Sequence, residues 1–284
     1  MAADLETCEN GRDNPAAQVA ACTNIIEAGQ VENMAGAYFL RGHAFYRQGQ
    51  FDSAISDVTR YLAFFPDSAA AYVNRGAAYN EKGENDLALA DYDAAIRLDP
   101  TNAFAFINRA NVWSEEGEPE KAIADFTEAI RLDPKDPKPY RLRARIWENE
   151  GAFARAIEGY NQALRVDPGY VDALNSLSWL LATGPREIRN GVEAVRLGEK
   201  AVALANEGYI HVTLAAAYAE AGDPMAALRE YETAIRLDNA YTSRYQQDLK
   251  TRGYYAGAVD GFHGPGTRSA IEACVRAGCQ LLTD

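Results

Sequence analysis

The residues best equipped for chemistry in this chain are arginines and carboxylates set at a fixed interval. Arg41, Arg75, Arg109 and Arg143 stand 34 residues apart, and Asp57, Asp91 and Asp125 keep the same period. Guanidinium and carboxylate groups form paired hydrogen bonds, and a half-buried guanidinium needs such an acceptor, so the two series read as internal bracing. Gly159 interrupts the acidic series. Pairing within a repeat therefore leaves Arg143 without its carboxylate, whereas pairing to the next repeat leaves Arg41 without one. A second basic group, Lys138, Arg141 and Arg145, falls at i, i+3 and i+7 on one helical face of a chain whose net charge is -13. Its chemistry is recognition of an acidic side chain or free carboxylate. Catalysis finds little footing. His43, His211 and His263 are scattered, and no nucleophile, base and orienting group share a motif, so the chain does not read as an enzyme. Without a CxxC or Cys/His cluster there is no argument for a metal, and no cofactor is implied. The acidic balance argues against nucleic acid and anionic lipid as partners, and no apolar run of 18 residues argues for membrane insertion.

The elements that must hold these groups repeat with them. Tyr38, Gly42 and Phe45 are followed at the same interval by Tyr72, Gly76 and Tyr79, by Phe106, Ala110 and Trp113, and by Tyr140, Ala144 and Trp147. Each block continues with a glycine (Gly49, Gly83, Gly117, Gly151), an alanine (Ala54, Ala88, Ala122, Ala156), a large residue (Val58, Tyr92, Phe126, Tyr160) and a closing proline (Pro66, Pro100, Pro134, Pro168). Large apolar residues three, four or seven apart predict helices, the glycine predicts a tight turn and the proline a stop. Two helices of about 13 residues, each roughly 20 Å long, leave an apolar face bare unless the next hairpin covers it, so stacking is obligatory.

This pattern, at eight positions over four blocks, resembles the tetratricopeptide repeat (TPR) family. The resemblance implies an all-α fold, a right-handed superhelix of TPR helical hairpins with a small helical C-terminal module. Four repeats are expected over 35–168, after an N-terminal helical capping segment over 1–34. Two TPR-like repeats follow over 169–239. The first places Leu174, Ser178 and Leu181, then has a longer turn before Ala194 and Ala201. The second carries Ala215, Tyr218, Gly222, Ala227, Tyr231 and Ala234, with Asn239 in place of the closing proline.

In the family the first helix of each hairpin lines a concave groove. One row of such positions runs Phe39, Val73, Ile107 and Arg141, with Tyr46 and Phe104 beside it. Asn74 and Asn108 resemble the asparagine ladder by which some TPR proteins hold a peptide backbone, although Leu40 and Leu142 interrupt it. With Lys138, Arg141 and Arg145, these residues imply a groove for a protein or extended peptide bearing an apolar stretch and a carboxylate. The competing reading is ordinary helix surface and packing between hairpins. A carboxylate clamp is rejected, because its basic and Asn positions hold Phe39 and His43.

Residues 240–284 differ in composition, with five Lys and Arg against four Asp and Glu and six of the 22 glycines. Gly253, Tyr254, Gly257, Asp260, Gly261, Phe262, Gly264, Pro265, Thr267, Arg268, Ala270 and Ile271 make this segment similar to the peptidoglycan-binding domain of bacterial cell-wall enzymes. Asp260-Gly261 is a turn pair, and Thr267 is a candidate N-cap for a helix running to Ala277 and ended by Gly278. Tyr254, Tyr255, Asp260, Phe262 and Arg268 are the residues implied for sugar or peptide contact, beside a reading in which the motif only builds the fold. The ends of a TPR superhelix are far apart, so local pairs, Cys8 with Cys22 and Cys274 with Cys279, are the disulfides this architecture allows. The alternative is four buried free thiols. Two disulfides, the wall-binding resemblance and a start at MAAD, as if a signal peptide had been removed and Met added, together imply a periplasmic or otherwise exported bacterial protein. The expected function is a non-catalytic scaffold that binds a protein partner and associates with peptidoglycan. The alternatives are a pure adaptor whose C-terminal module caps the array and a regulatory subunit of a cell-wall hydrolase.

Overall fold

A computed structural model describes residues 2–29 and 31–281, and among these residues it contains sixteen α-helices, one 3-10 turn and no strand. The chain divides into two compact units, residues 1–135 and 136–284.

The first unit holds α1 (Ala2–Asn10), α2 (Pro15–Glu27), α3 (Val31–Arg47), α4 (Phe51–Phe64), α5 (Ala69–Glu81), α6 (Asn85–Leu98), α7 (Ala103–Glu115) and α8 (Pro119–Leu132). They pack as successive hairpins, each on the one before it. Gly49, Gly83 and Gly117 close the turns at φ of 70–73°, a conformation that costs a side-chain-bearing residue roughly 1–2 kcal/mol. The second helices stop two residues short of Pro66, Pro100 and Pro134, whose preceding residues are held off the helical region. Asn14, Ser68 and Asn102 cap first-turn N–H groups with their side chains. The N-terminal segment is itself a hairpin, α1 on α2, closed by the Cys8–Cys22 disulfide with its Cα atoms 5.0 Å apart.

The second unit holds α9 (Lys138–Asn149), α10 (Phe153–Val166), α11 (Val171–Thr183), α12 (Gly191–Leu204), α13 (Gly208–Glu220), α14 (Pro224–Leu237), α15 (Ala240–Thr251) and α16 (Pro265–Arg276). The longer turn expected between α11 and α12 spans residues 184–190. One buried cluster joins Val212 and Ala215 of α13, Leu228, Tyr231 and Ile235 of α14, Tyr241, Tyr245 and Leu249 of α15, and Ile271 and Val275 of α16. Residues 240–281 thus share the core of the last repeat. Tyr231 and Tyr245 meet edge to face, 5.3 Å between ring centres, at the middle of it. Among the described residues, no helix is long and apolar enough to cross a membrane.

Candidate functional site

The periodic charges form a ladder, and pairing is within each hairpin. Arg41 donates to Asp57 at 2.6 and 2.9 Å, Arg75 to Asp91 twice at 2.8 Å, and Arg109 to Asp125 at 2.8 and 2.7 Å. Each guanidinium keeps one nitrogen for the second helix of the preceding hairpin, reaching Thr23, Thr59 and Asp93 in turn. The three aspartates are 4%, 5% and 7% exposed, so their charge is tolerated only because the fork satisfies both oxygens. Arg143 is the odd member. A side chain at Gly159 would put its Cβ 2.8 Å from that of Ala144, so no carboxylate fits. Arg143 instead lies over the Trp147 ring, 4.8 Å from its centre, and donates to Gln162; burial pulls its pKa down.

The row of first-helix positions divides by environment. Phe39 packs on the Tyr61 ring at 4.8 Å, and Val73 lies against Tyr92 and Val112. Ile107 is 3% exposed and is core, so it presents no groove surface, correcting its reading as groove wall. Phe104, at 70%, stands in solvent, and Asn108 is half-buried. Tyr46 and Asn74 come together with Gly42, His43, Val58 and Ala77 around a small pocket of about 100 Å³. The Tyr46 hydroxyl also bonds Glu81, and burial raises its pKa.

The basic trio is broken up. Arg141 donates to the Tyr170 hydroxyl at 3.1 Å and lies 3.5 Å from Asp172, so its charge is engaged internally rather than offered to a ligand. Lys138 and Arg145 are exposed, and Arg145 lines a cleft. That cleft, of about 350 Å³, is walled by Arg145, Glu148 and Asn149 of α9, Tyr160 of α10, Asn175, Ser176 and Trp179 of α11, and Tyr209, Val212 and Thr213 of α13. The Tyr160 hydroxyl donates to Glu148 at 2.5 Å. Burial raises the Glu148 pKa, while that hydrogen bond and the Arg145 charge oppose the rise. Asn175 Oδ1 is buried and meets no donor among the described residues. Cation, amide acceptor and aromatic walls together suit an extended peptide, whose backbone supplies N–H and C=O at regular steps. Asn175 was missed by the sequence reading, although it stands 34 residues past Arg141 and continues the same row.

In the C-terminal segment most motif residues build the loop. Gln246, fully buried, sets the two N–H groups of its Nε2 among the acceptors Asp260, Phe262 O, Thr267 and Tyr255, and its Oε1 accepts from the N–H groups of Asp260 and Gly261. Asp260 is spent on this network, and the Phe262 N–H and Gln246 lower its pKa. Tyr255 donates to Ala258 O. Tyr254 and Phe262 are exposed, and Arg268 pairs with Glu232 at 2.9 Å. Thr267 is not the N-cap: α16 starts at Pro265, which suits a first helical position, and Thr267 lies buried one turn in, bonded to Phe262 O. Gly278, at φ 76°, ends the helix region as expected, and Cys274 pairs with Cys279 across 5.1 Å between Cα atoms.

Stacked antiparallel hairpins braced by an Arg/Asp ladder define a helical repeat protein. Models of the tetratricopeptide repeat match residues 39–103 and 103–136, and this part of the chain is built of TPR repeats. No curated protein matches it. Among solved structures it is similar to a TPR protein from Parabacteroides merdae, at TM-score 0.64 and 15% identity over 84% of this chain and 93% of that one. It is also similar to the C-terminal part of a TPR repeat-containing protein from Cytophaga hutchinsonii, at TM-score 0.63 and 19% identity over 84% and 95%. At such identities the likeness speaks for the fold alone.

Proposed function

We propose that the protein is a non-catalytic scaffold that holds an extended segment of a protein partner in the cleft formed by α9, α11 and α13. The carrying observation is Asn175 Oδ1, a buried acceptor that meets no donor among the described residues, in the same cleft as the exposed Arg145. An acceptor in that state costs about 1–3 kcal/mol that a peptide N–H recovers, while Arg145 takes a carbonyl or carboxylate and Trp179 and Tyr209 cover apolar side chains. TPR repeat proteins are typically such scaffolds. Selection of peptides from a random display library tests the reading. Binders should be lost on Arg145→Glu and weakened about tenfold by Asn175→Leu, with helicity unchanged. Enrichment that ignores both variants would reject the cleft.

For residues 240–281 the reading is a structural cap, supported by the core they share with α13 and α14. Association with peptidoglycan would rest on Tyr254, Phe262 and Arg268, the motif residues left outside the Gln246 network. Co-sedimentation with purified peptidoglycan decides it: a cap leaves the protein in the supernatant, and retention abolished by Phe262→Ala establishes wall contact. Export fits the two disulfides, which persist in oxidising compartments.

A further inference from the structure

Residues 277–281 make contacts that the repeats do not require. Gly278 turns the chain back after α16, Cys279 N–H donates to Cys274 O at 3.0 Å, and the disulfide fixes that turn. Gln280 is thereby aimed at two helices distant in sequence. Its Nε2 donates to Ala182 O at 3.0 Å and to Ala216 O at 3.4 Å. Ala182 belongs to the last turn of α11, where carbonyl groups have no partner within the helix. Leu281 completes the attachment: its N–H donates to the Tyr231 hydroxyl at 2.9 Å and its side chain is sealed in the core. The helices joined by Gln280 are those that carry Asn175, Trp179, Tyr209 and Val212 into the cleft. Trp179 also packs against the cluster that contains Cys274 and Leu281.

We infer that Gln280, aimed by the Cys274–Cys279 disulfide, is a positioning residue that sets the separation of α11 and α13, and that a dithiol reductant releases it. Its importance for ligand binding rests on the cleft reading above; its control of the two helices does not. Cys279 is the more accessible of the two residues, Cys274 being fully buried. The reductant's thiolate attacks Cys279 Sγ, the S–S bond breaks, and Cys274 leaves as a thiolate that takes a proton. The second thiol of the reductant then displaces Cys279, giving two cysteine thiols and one oxidised dithiol. Freed of the cross-link, the turn frays and Gln280 leaves both carbonyls.

Hydrogen exchange on the full chain tests this. In Gln280→Ala, and in the wild type treated with dithiothreitol, amides over 179–183 and 213–218 should exchange roughly tenfold faster, while α10 is unchanged. Gln280→Ala keeps the test valid if loss of the disulfide unfolds the tail more widely. Acceleration confined to 277–281 would overturn the inference, since the disulfide would then only restrain the terminus. The binding arm uses a display-selected peptide. Its affinity should fall several-fold in Gln280→Ala and vanish in Arg145→Glu. A peptide indifferent to Arg145→Glu rejects the cleft reading and leaves the exchange result to decide the clasp.

Discussion

The hairpins α7–α8 and α9–α10 are consecutive copies of one pattern with opposite uses of their arginine. Arg109 is held by a buried carboxylate, Asp125, and an exposed one, Asp93, and so braces its hairpin against the one before it. Arg143 has lost the carboxylate position to Gly159 and rests on Trp147, and the same hairpin supplies Arg145, Glu148 and Tyr160 to the open cleft. Where the consensus is kept the repeat is committed to bracing; where it is broken, polar groups become available to something else. In a repeat protein the departures from the period carry the functional information, and the period itself carries the fold.

The largest expected effect tests the bracing. Asp91→Ala strands the Arg75 guanidinium and should cost about 3 kcal/mol, read as a lowered midpoint in urea, whereas Gln162→Ala beside Arg143 should cost well under 1 kcal/mol. Equal costs would erase the distinction between the hairpins. Next comes Gly159→Asp, which completes the acidic series on paper. Its Cβ would overlap Ala144, so a loss of about 2 kcal/mol is expected; a gain in stability would mean that charge outweighs packing here. Thr59→Val removes only the third bond of Arg75 and should cost about 1 kcal/mol by thermal unfolding. The smallest effect concerns Glu148. Its pKa is higher folded than unfolded, so the folded state binds more protons and stability falls as pH rises through and above the ordinary value of 4.5. Glu148→Gln should flatten that decline between pH 4 and pH 7, and an unchanged slope would assign the decline to other groups.

Much of the fold was legible because a 34-residue period repeats turn, core and stop residues together. The ladder's partners were legible too, but not which aspartate each arginine takes, since both offsets satisfy the spacing. Arg141 misled because Tyr170 and Asp172 reach it from around the start of the following hairpin, outside the block being read. Ile107 misled because a row defined by spacing on one helix does not report how deeply each of its members is buried. Gln246 was invisible: its hydrogen bonds depend on a glycine-rich loop folding back over α15, and nothing in its neighbouring sequence marks it. Asn175, by contrast, needed only the row to be followed one step further.

The third bond of each ladder arginine gives the first unit a polarity. Arg41, Arg75 and Arg109 reach back to Thr23, Thr59 and Asp93, always toward the N-terminus. During synthesis the upstream acceptor is therefore already made when each arginine emerges, so hairpins can dock in the order in which they appear. Shortening the chain from the two ends is correspondingly unequal. Trimming this unit hairpin by hairpin from its C-terminal side takes each arginine away together with its own aspartate, whereas trimming from the N-terminal side deprives a surviving arginine of its upstream acceptor.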